Sequence, residues 1–189
     1  MPLLRGNLHA HTTFSDGVRS PQALVDEYES RGYDFLAITD HEDHANWIEP
    51  SYRNTLARVR TNLLLFQGIE VNFDPIGAQH VGKVIGDRET LWVLNHPARY
   101  KLSVAETIER VEMIRAAGWP LAAIEVTDTG HYRPVYDTEA IPLVKIATDD
   151  AHRPPHFGRA WIEVDAPRDR DAIIRAIHAG DVQIRFSDR

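Results

Sequence analysis

Along the chain, short apolar runs alternate with longer stretches in which apolar residues recur every three or four positions, the pattern of strands each followed by a covering helix. Seven runs read as strands: 3–9 (LLRGNLH), 34–40 (DFLAITD), 63–70 (LLLFQGIE), 80–86 (HVGKVIG), 91–96 (LWVLNH), 121–126 (LAAIEV) and 143–149 (LVKIATD). Helical periodicity occupies 21–32, 103–118 and 169–180, and a last strand-like run, VQIRF, covers 182–186. Repeated βα alternation predicts a parallel sheet with helices outside, and seven such strands suggest that the sheet closes as a barrel.

The helix ends carry their own signals. Ser20 is placed to cap the first helix, Pro21 suits its first position and Gly32 its end. Ser103 and Glu106 make a capping-box pattern, and Gly118 stops that helix. No internal repeat, low-complexity tract or linker interrupts the pattern, so a single domain over residues 1–189 is expected.

Composition narrows the chemistry. The 189 residues are 43% hydrophobic and 26% charged, as in an ordinary globular protein. A formal charge of −7 disfavours a surface for duplex nucleic acid, whose non-specific affinity comes from Lys and Arg neutralising phosphates. With no cysteine, disulfides and thiolate metal sites are excluded, and any metal must be held by His nitrogen or Asp/Glu oxygen. The N-terminal residues have no apolar run long enough for a signal peptide, and no segment approaches a membrane span, so a cytoplasmic location is expected.

Metal-capable residues fall at the ends of the predicted strands. The stretch NLHAHTTFSDG holds His9 and His11, which share a face of an extended strand, with Asp16 five residues beyond. Asp40 and His41 end the second strand, Glu70 the third and His96 the fifth; His80 opens the fourth, and Asp150 and His152 follow the seventh. A parallel barrel keeps its active site at this end of its strands. Each pair alone has an ordinary reading: an H-x-H as a polar strand face, TDH as helix-capping chemistry, NHP as a strand-ending turn. A buried Glu70 without a partner would be costly, a difficulty that a cation at the mouth removes.

In NLHAHTTFSDG, AITDH, GIEV, HVGKVIG, NHP and TDDAH, with HFGRAW further on, the chain resembles the polymerase and histidinol phosphatase (PHP) superfamily of metal-dependent phosphoesterases. The resemblance implies a distorted (β/α)7 barrel, TIM-barrel-like. It also implies nine metal-ligand positions, filled here by His9, His11, Asp16, His41, Glu70, His80, His96, Asp150 and His152. Asp16 stands where some members carry His, which leaves two or three divalent ions open and suits Mn, Fe or Mg as well as Zn. The His80 position rests on the resemblance alone.

Such a cluster suits attack on an ester at phosphorus, with metals lowering the pKa of a bridging water and neutralising the non-bridging oxygens. Glu70 and Asp150 would bridge or anchor ions, six histidines would set geometry, and Asp16 is a candidate both for ligation and for accepting a proton from water. Phosphate also wants a cationic clamp: Arg19, Arg99, Arg153 and Arg159 lie just past ligand positions, Arg99 and Arg153 foremost. His156 is a candidate general acid, and Glu125 a candidate for orienting a ligand. His44 and His131 lie near enough to touch a substrate, whereas His178 reads as surface.

The expected function is hydrolysis of a small phosphomonoester or nucleotide at a shallow, open site, since the connections 70–96 and 125–150 are short. Tyr100, Trp92, Trp47, Tyr132 and Phe157 are candidates for stacking a base, though most suit packing. An amidohydrolase acting on a C–N bond would want a lysine-derived bridge, and Lys83 and Lys145 sit mid-strand. A metal-binding regulatory barrel without catalysis, or a barrel of the kind attached to bacterial DNA polymerases, is a further alternative. The partner expected is a small phosphorylated substrate, with no membrane; oligomeric state is left open.

Overall fold

The computed structural model describes residues 3–45 and 50–187. The chain runs through β1 (Leu4–Asn7), α1 (Pro21–Ser30), β2 (Phe35–Ile38), α2 (Glu42–Ala45), α3 (Pro50–Leu56), β3 (Leu64–Phe73), β4 (Gln79–Ile85), β5 (Thr90–Leu94) and α4 (Val104–Ala116). It continues through β6 (Leu121–Glu125), the two-residue strands β7 (Thr127–Asp128) and β8 (His131–Tyr132), β9 (Val144–Ile146), β10 (Ala160–Val164), α5 (Arg170–Ala179) and β11 (Val182–Phe186). Nine of these strands form one sheet in the order β11-β10-β1-β2-β3-β4-β5-β6-β9, while β7 and β8 pair with each other. The large sheet curls into a nearly closed barrel, its edges β9 and β11 facing across a gap lined by Val144, Lys145 and residues 182–185.

This is the distorted α/β barrel that the sequence predicts, and the distortion has two sources. First, β4 runs antiparallel to both β3 and β5, so 64–94 is a meander of hairpins with no covering helix. Reversal of β4 puts its N-terminal end at the same mouth as the C-terminal ends of its neighbours, which is why His80 opens its strand yet joins residues that end theirs. Second, AWIEV at 160–164, outside the runs predicted as strands, forms β10, antiparallel to β1, and β11 pairs with β10 in turn. Helices cap as expected: Ser20 Oγ accepts from Ala23 N (3.3 Å), and Ser103 and Glu106 form the reciprocal capping box.

Along the barrel's inner face, side chains change from apolar at the floor to polar at the mouth. Phe35, Phe66, Val84, Val93, Ile146 and Ile162 share one buried cluster with Ile173, Ile174 and Ile177 of α5, which plugs the floor. Each such isoleucine contributes roughly 1.5–3 kcal/mol by burial. Gly6 makes room for the Phe35 ring, since a Cβ there would lie 2.0 Å from Phe35 Cε2. On the outer side, Leu24, Val25 and Tyr28 of α1 pack on Leu36 and Ile38, and Val111 and Ile114 of α4 pack on Leu121 and Ile124.

Candidate metal centre

Strand alternation carries the inner face upward to the polar residues. From Phe35 and Ala37 the even steps lead to Thr39 and His41; from Phe66, past Gly68, to Glu70; from Ile146 to Thr148 and Asp150. Three ligand candidates, in two segments, break the alternation and are turned inward by the backbone. A bend at Leu8 shifts the phase after β1, so that Asn7 faces α1 while His9 and His11 enter the pocket. His96 follows the inward Asn95, and its φ of 26° turns it the same way. Asp150 also has a positive φ, 44°, and left-handed backbone at two adjoining segments of one pocket is strain held by surrounding contacts.

All nine expected ligand positions come together. His9 Nε2 and His11 Nε2 are 3.0 Å apart, and both lie 3.4 Å from Asp150 Oδ1. Glu70 sits at the centre: its Oε1 is 3.0 Å from His96 Nε2, 3.1 Å from His80 Nδ1 and 3.4 Å from His9 Nε2. Its Oε2 is 3.1 Å from His41 Nδ1 and 3.5 Å from His11 Nε2. At the rim, Asp16 lies 3.2 Å from His152 Nε2 and 3.6 Å from both His41 Nε2 and His11 Nδ1. His9, His11, Glu70, His96 and Asp150 are buried, whereas the Asp16 side chain is 43% exposed.

Glu70 Oε2 and Asp150 Oδ1 are buried without a hydrogen-bond partner among the described residues. Anionic oxygens left so, ringed by imidazole nitrogens, are what a cation would relieve. The donor set of nitrogen and carboxylate oxygen fits zinc, manganese or iron.

A further layer of contacts fixes the ligand candidates. Glu125 Oε1 accepts from His9 Nδ1 (2.7 Å) and Thr148 Oγ1 (2.6 Å), and Oε2 accepts from His96 N (2.8 Å). With Nδ1–H given to Glu125, the His9 Nε2 lone pair faces the pocket. Both Glu125 oxygens are thereby engaged, so it orients rather than ligates. Asn95 Nδ2 donates to Glu70 Oε1 (2.8 Å). Asp40, which the sequence places among the strand-end candidates, instead ties down the loop that carries Asp16: it accepts from Thr12 N and Oγ1 (both 2.7 Å), Ser15 Oγ (2.6 Å) and Tyr52 OH (3.2 Å). Sequence reasoning missed Asn95 and these roles for Asp40 and Tyr52, because hydrogen bonds 12 to 28 residues apart leave no spacing signal.

The charges balance locally. Burial opposes it, yet the carboxylates of Glu125, Glu70 and Asp150 hold His9 well above its ordinary value. Burial likewise opposes but does not reverse the effect of the histidines, which keep Glu70 and Asp150 well below the carboxylate range and Asp16 far below it. His41 and His152 are raised by Asp16 against the cost of burial.

The proposed phosphate clamps divide. Arg99 reaches the pocket, pairing with Asp150 and, at 3.5 Å, with Asp128. Arg19 turns to Glu27 of α1 (3.8 Å). Arg159 supports the β7–β8 hairpin, donating to Thr129 O (3.0 Å) and His131 Nε2 (3.2 Å) beneath a turn in which Thr129 and Gly130 both have positive φ. Arg153 is exposed, with its Nε 3.2 Å from His156 Nε2, while His152 N lies 3.3 Å from His156 Nδ1; a neutral imidazole can accept at only one of the two. Both ring nitrogens of His156 are thus engaged by its own turn, and burial and then Arg159 lower its pKa.

Other candidates are occupied by packing. Tyr100 OH accepts from His80 N (3.0 Å), Trp92 packs on Trp119, Phe157 on Tyr28 and Tyr132 on Phe186. His178 Nε2 lies 3.3 Å from Thr90 O. Trp47 and the side chain of His44 lie outside the described residues. Lys145 donates to the carbonyls of Ile141 and Leu143, and Lys83 lies over the Trp92 ring, so neither is free to bridge metals.

An α/β barrel with a histidine and carboxylate pocket at one mouth is the architecture of a metal-dependent hydrolase. The PHP domain family matches residues 7–114, and a PHP-associated family matches residues 143–182. The chain belongs to the PHP family, whose members are metal-dependent hydrolases. Among its relatives, a 5'-3' exoribonuclease Rnm of Salmonella typhimurium is 38% identical over 66 residues, 35% of this chain and 22% of that protein. A 5'-3' exoribonuclease of Haemophilus influenzae is 25% identical over 92% of this chain and 64% of its own length. The chain thus spans less than two thirds of these relatives. In fold it is similar to a two-domain protein containing a PHP-like metal-dependent phosphoesterase from Bacteroides vulgatus, with a TM-score of 0.76 and 19% identity over 97% of this chain and 65% of that one. It is also similar to an amidohydrolase from Chromobacterium violaceum, with a TM-score of 0.64 and 16% identity over 96% of this chain and 97% of that one. No helix among the described residues is long and apolar enough to cross a membrane.

Proposed function

We propose that the protein hydrolyses a phosphoester of a small molecule, a nucleotide or the end of a short oligonucleotide, at a centre of two or three divalent ions. The observation that carries this reading is the pair of buried carboxylates, Glu70 and Asp150, each with an oxygen lacking a hydrogen-bond partner and both surrounded by imidazole nitrogens. Bound there, divalent metal would supply an activated water and neutralise charge on the phosphoryl oxygens. Glu70 and Asp150 anchor the ions; His9, His11, His41, His80, His96 and His152 complete the set, with Asp16 closing it at the rim. Asp16, 43% exposed at the rim beside His152 and His41, is assigned to ligation, with acceptance of a proton from the attacking water as its second candidate role. Arg99 stands beside Asp150 with a guanidinium suited to a phosphoryl oxygen.

The relatives named as exoribonucleases support including short RNA ends among the substrates. Against the overall charge of −7, this is a reading in which a few base and phosphate contacts at the mouth suffice, not a duplex track. The test is phosphate or nucleotide release from phosphomonoesters, nucleotides and short oligonucleotides, with manganese or zinc and with chelator, for the wild type, His9→Ala and Asp150→Ala. Metal-dependent release abolished in both variants is the expected result. A folded, metal-loaded protein that cleaves none of these compounds overturns the proposal.

A further inference from the structure

Next to the ligand candidate Asp150 stands a second buried carboxylate that the proposed chemistry does not use. Asp149 turns away from the ions' pocket, toward α1 and the turn at 158–160. Its Oδ2 accepts from Tyr28 OH (2.8 Å) and Gly158 N (2.7 Å), and its Oδ1 from Ala160 N (2.8 Å). Its own backbone N–H donates to Asn7 Oδ1 (3.0 Å). Asn7 Nδ2 in turn donates to Tyr28 OH (3.0 Å) and to the carbonyl of His9 (3.0 Å). Asp149, Asn7 and Tyr28 thus close a circuit of hydrogen bonds, and all three are fully buried.

We propose that Asp149 is a positioning residue for the metal centre: through the Asn7–Tyr28 circuit it sets the first ligand segment, 7–11, against the last, 149–152. This inference rests on the metal reading above. Its residues flank the site on both sides. Thr148 supports Glu125 and so the orientation of His9, and Asp150 carries the left-handed backbone that brings its carboxylate within 3.4 Å of His9 and His11. Backbone to backbone, the two segments are joined by Ala151 N to His9 O (3.3 Å) and His11 N to Ala151 O (2.9 Å), and the Asn7 side chain adds the bond to Asp149 N that ties the far end of each segment to the other. Asp149 also holds, through Gly158 and Ala160, the return of the loop that carries Arg153 and His156. Because a carboxylate accepts at both oxygens, asparagine cannot replace it: one of its faces would set an NH2 group against an N–H or O–H donor.

The test uses cobalt(II) alone as the probe, titrated into metal-free protein and read both as a dissociation constant and as the visible ligand-field spectrum. Asp149→Asn should weaken cobalt binding by about tenfold or more and change the spectrum, as loss of outer contacts to metal ligands does elsewhere. Tyr28→Phe, which removes one hydroxyl, should weaken it by roughly threefold. Ile174→Val, a truncation at the barrel floor, serves as a control that lowers Tm by loss of packing and alters no hydrogen bond of the circuit. Cobalt affinity and spectra unchanged in both circuit variants, with Tm lowered as in the control, would overturn the positioning role. If Asp149→Asn fails to fold, Tyr28→Phe decides alone. A wild type that binds no cobalt would refute the metal centre itself, a result distinct from variants that bind as the wild type does.

Discussion

Replacing Glu125 by glutamine isolates one contact of the centre. The carboxylate accepts at both oxygens, from His9 Nδ1 and Thr148 Oγ1 at one and from His96 N at the other. In Glu125→Gln the amide has two orientations. If its oxygen stays on His96 N, the NH2 group faces His9 Nδ1, which must then accept; the proton moves to Nε2 and removes the lone pair a metal would use. If the amide flips, NH2 meets the His96 N–H, two donors face each other in a dry pocket, and a buried donor loses its partner at about 1–3 kcal/mol. Either way the loss falls in the range of outer-contact substitutions at metal sites, about 10–100-fold in affinity, or roughly 1.4–2.7 kcal/mol. The assay is competition for zinc or manganese against a chelator of known affinity, alongside thermal melts of the metal-free forms. Affinity within about twofold of the wild type would refute the argument that Glu125 sets the His9 tautomer.

Two more predictions follow from the same geometry. Gly82 faces Glu70 across the β3–β4 ladder, and a Cβ there would lie 2.9 Å from Asn95 Oδ1; Gly82→Ala should push Asn95 off Glu70, lowering metal-dependent activity at a stability cost of about 1–3 kcal/mol, measured by denaturant melts beside activity assays. In metal-free protein, His9, His41 and His152 are raised above 6.5, so the stability they contribute is complete below that pH and is lost as pH rises through their folded values. His11 and His156 are lowered and titrate below 6.5, so they do not offset the loss above it. The metal-free Tm should therefore fall as pH rises above 6.5 while apparent metal affinity rises as those protons are displaced, and a metal-free Tm that climbs as pH rises from there would contradict the assignment.

Much of this was legible because strand ends and metal-capable residues coincide in the sequence: all seven predicted strands are present, and the H-x-H reading put His9 and His11 on one side, where their Nε2 atoms are 3.0 Å apart. What escaped was phase and direction. Strict alternation from Leu4 would have turned His9 outward, and only the bend at Leu8 corrects it. Nothing local in HVGKVIG distinguishes an antiparallel strand from a parallel one, since direction is set by pairing with β3 and β5. AWIEV escaped because five residues with Glu163 their one polar member carry little periodicity, and their strand is made by pairing with β1 and β11. Arg153 and Arg159 were singled out by position after ligands, but hydrogen bonds to His156 and to the β7–β8 turn draw them elsewhere.

The meander β3–β4–β5 also bears on how quickly the centre can assemble. Glu70 and His80 sit ten residues apart on one hairpin, whose closure costs little chain entropy and can occur within microseconds. His9 and Asp150 meet only when segments 142 residues apart, as Asn7 and Asp149 are, find each other. Folding speed should then be governed by that long closure. A half-built pocket, two ligands already in place on the hairpin, would await the arrival of both ends of the chain.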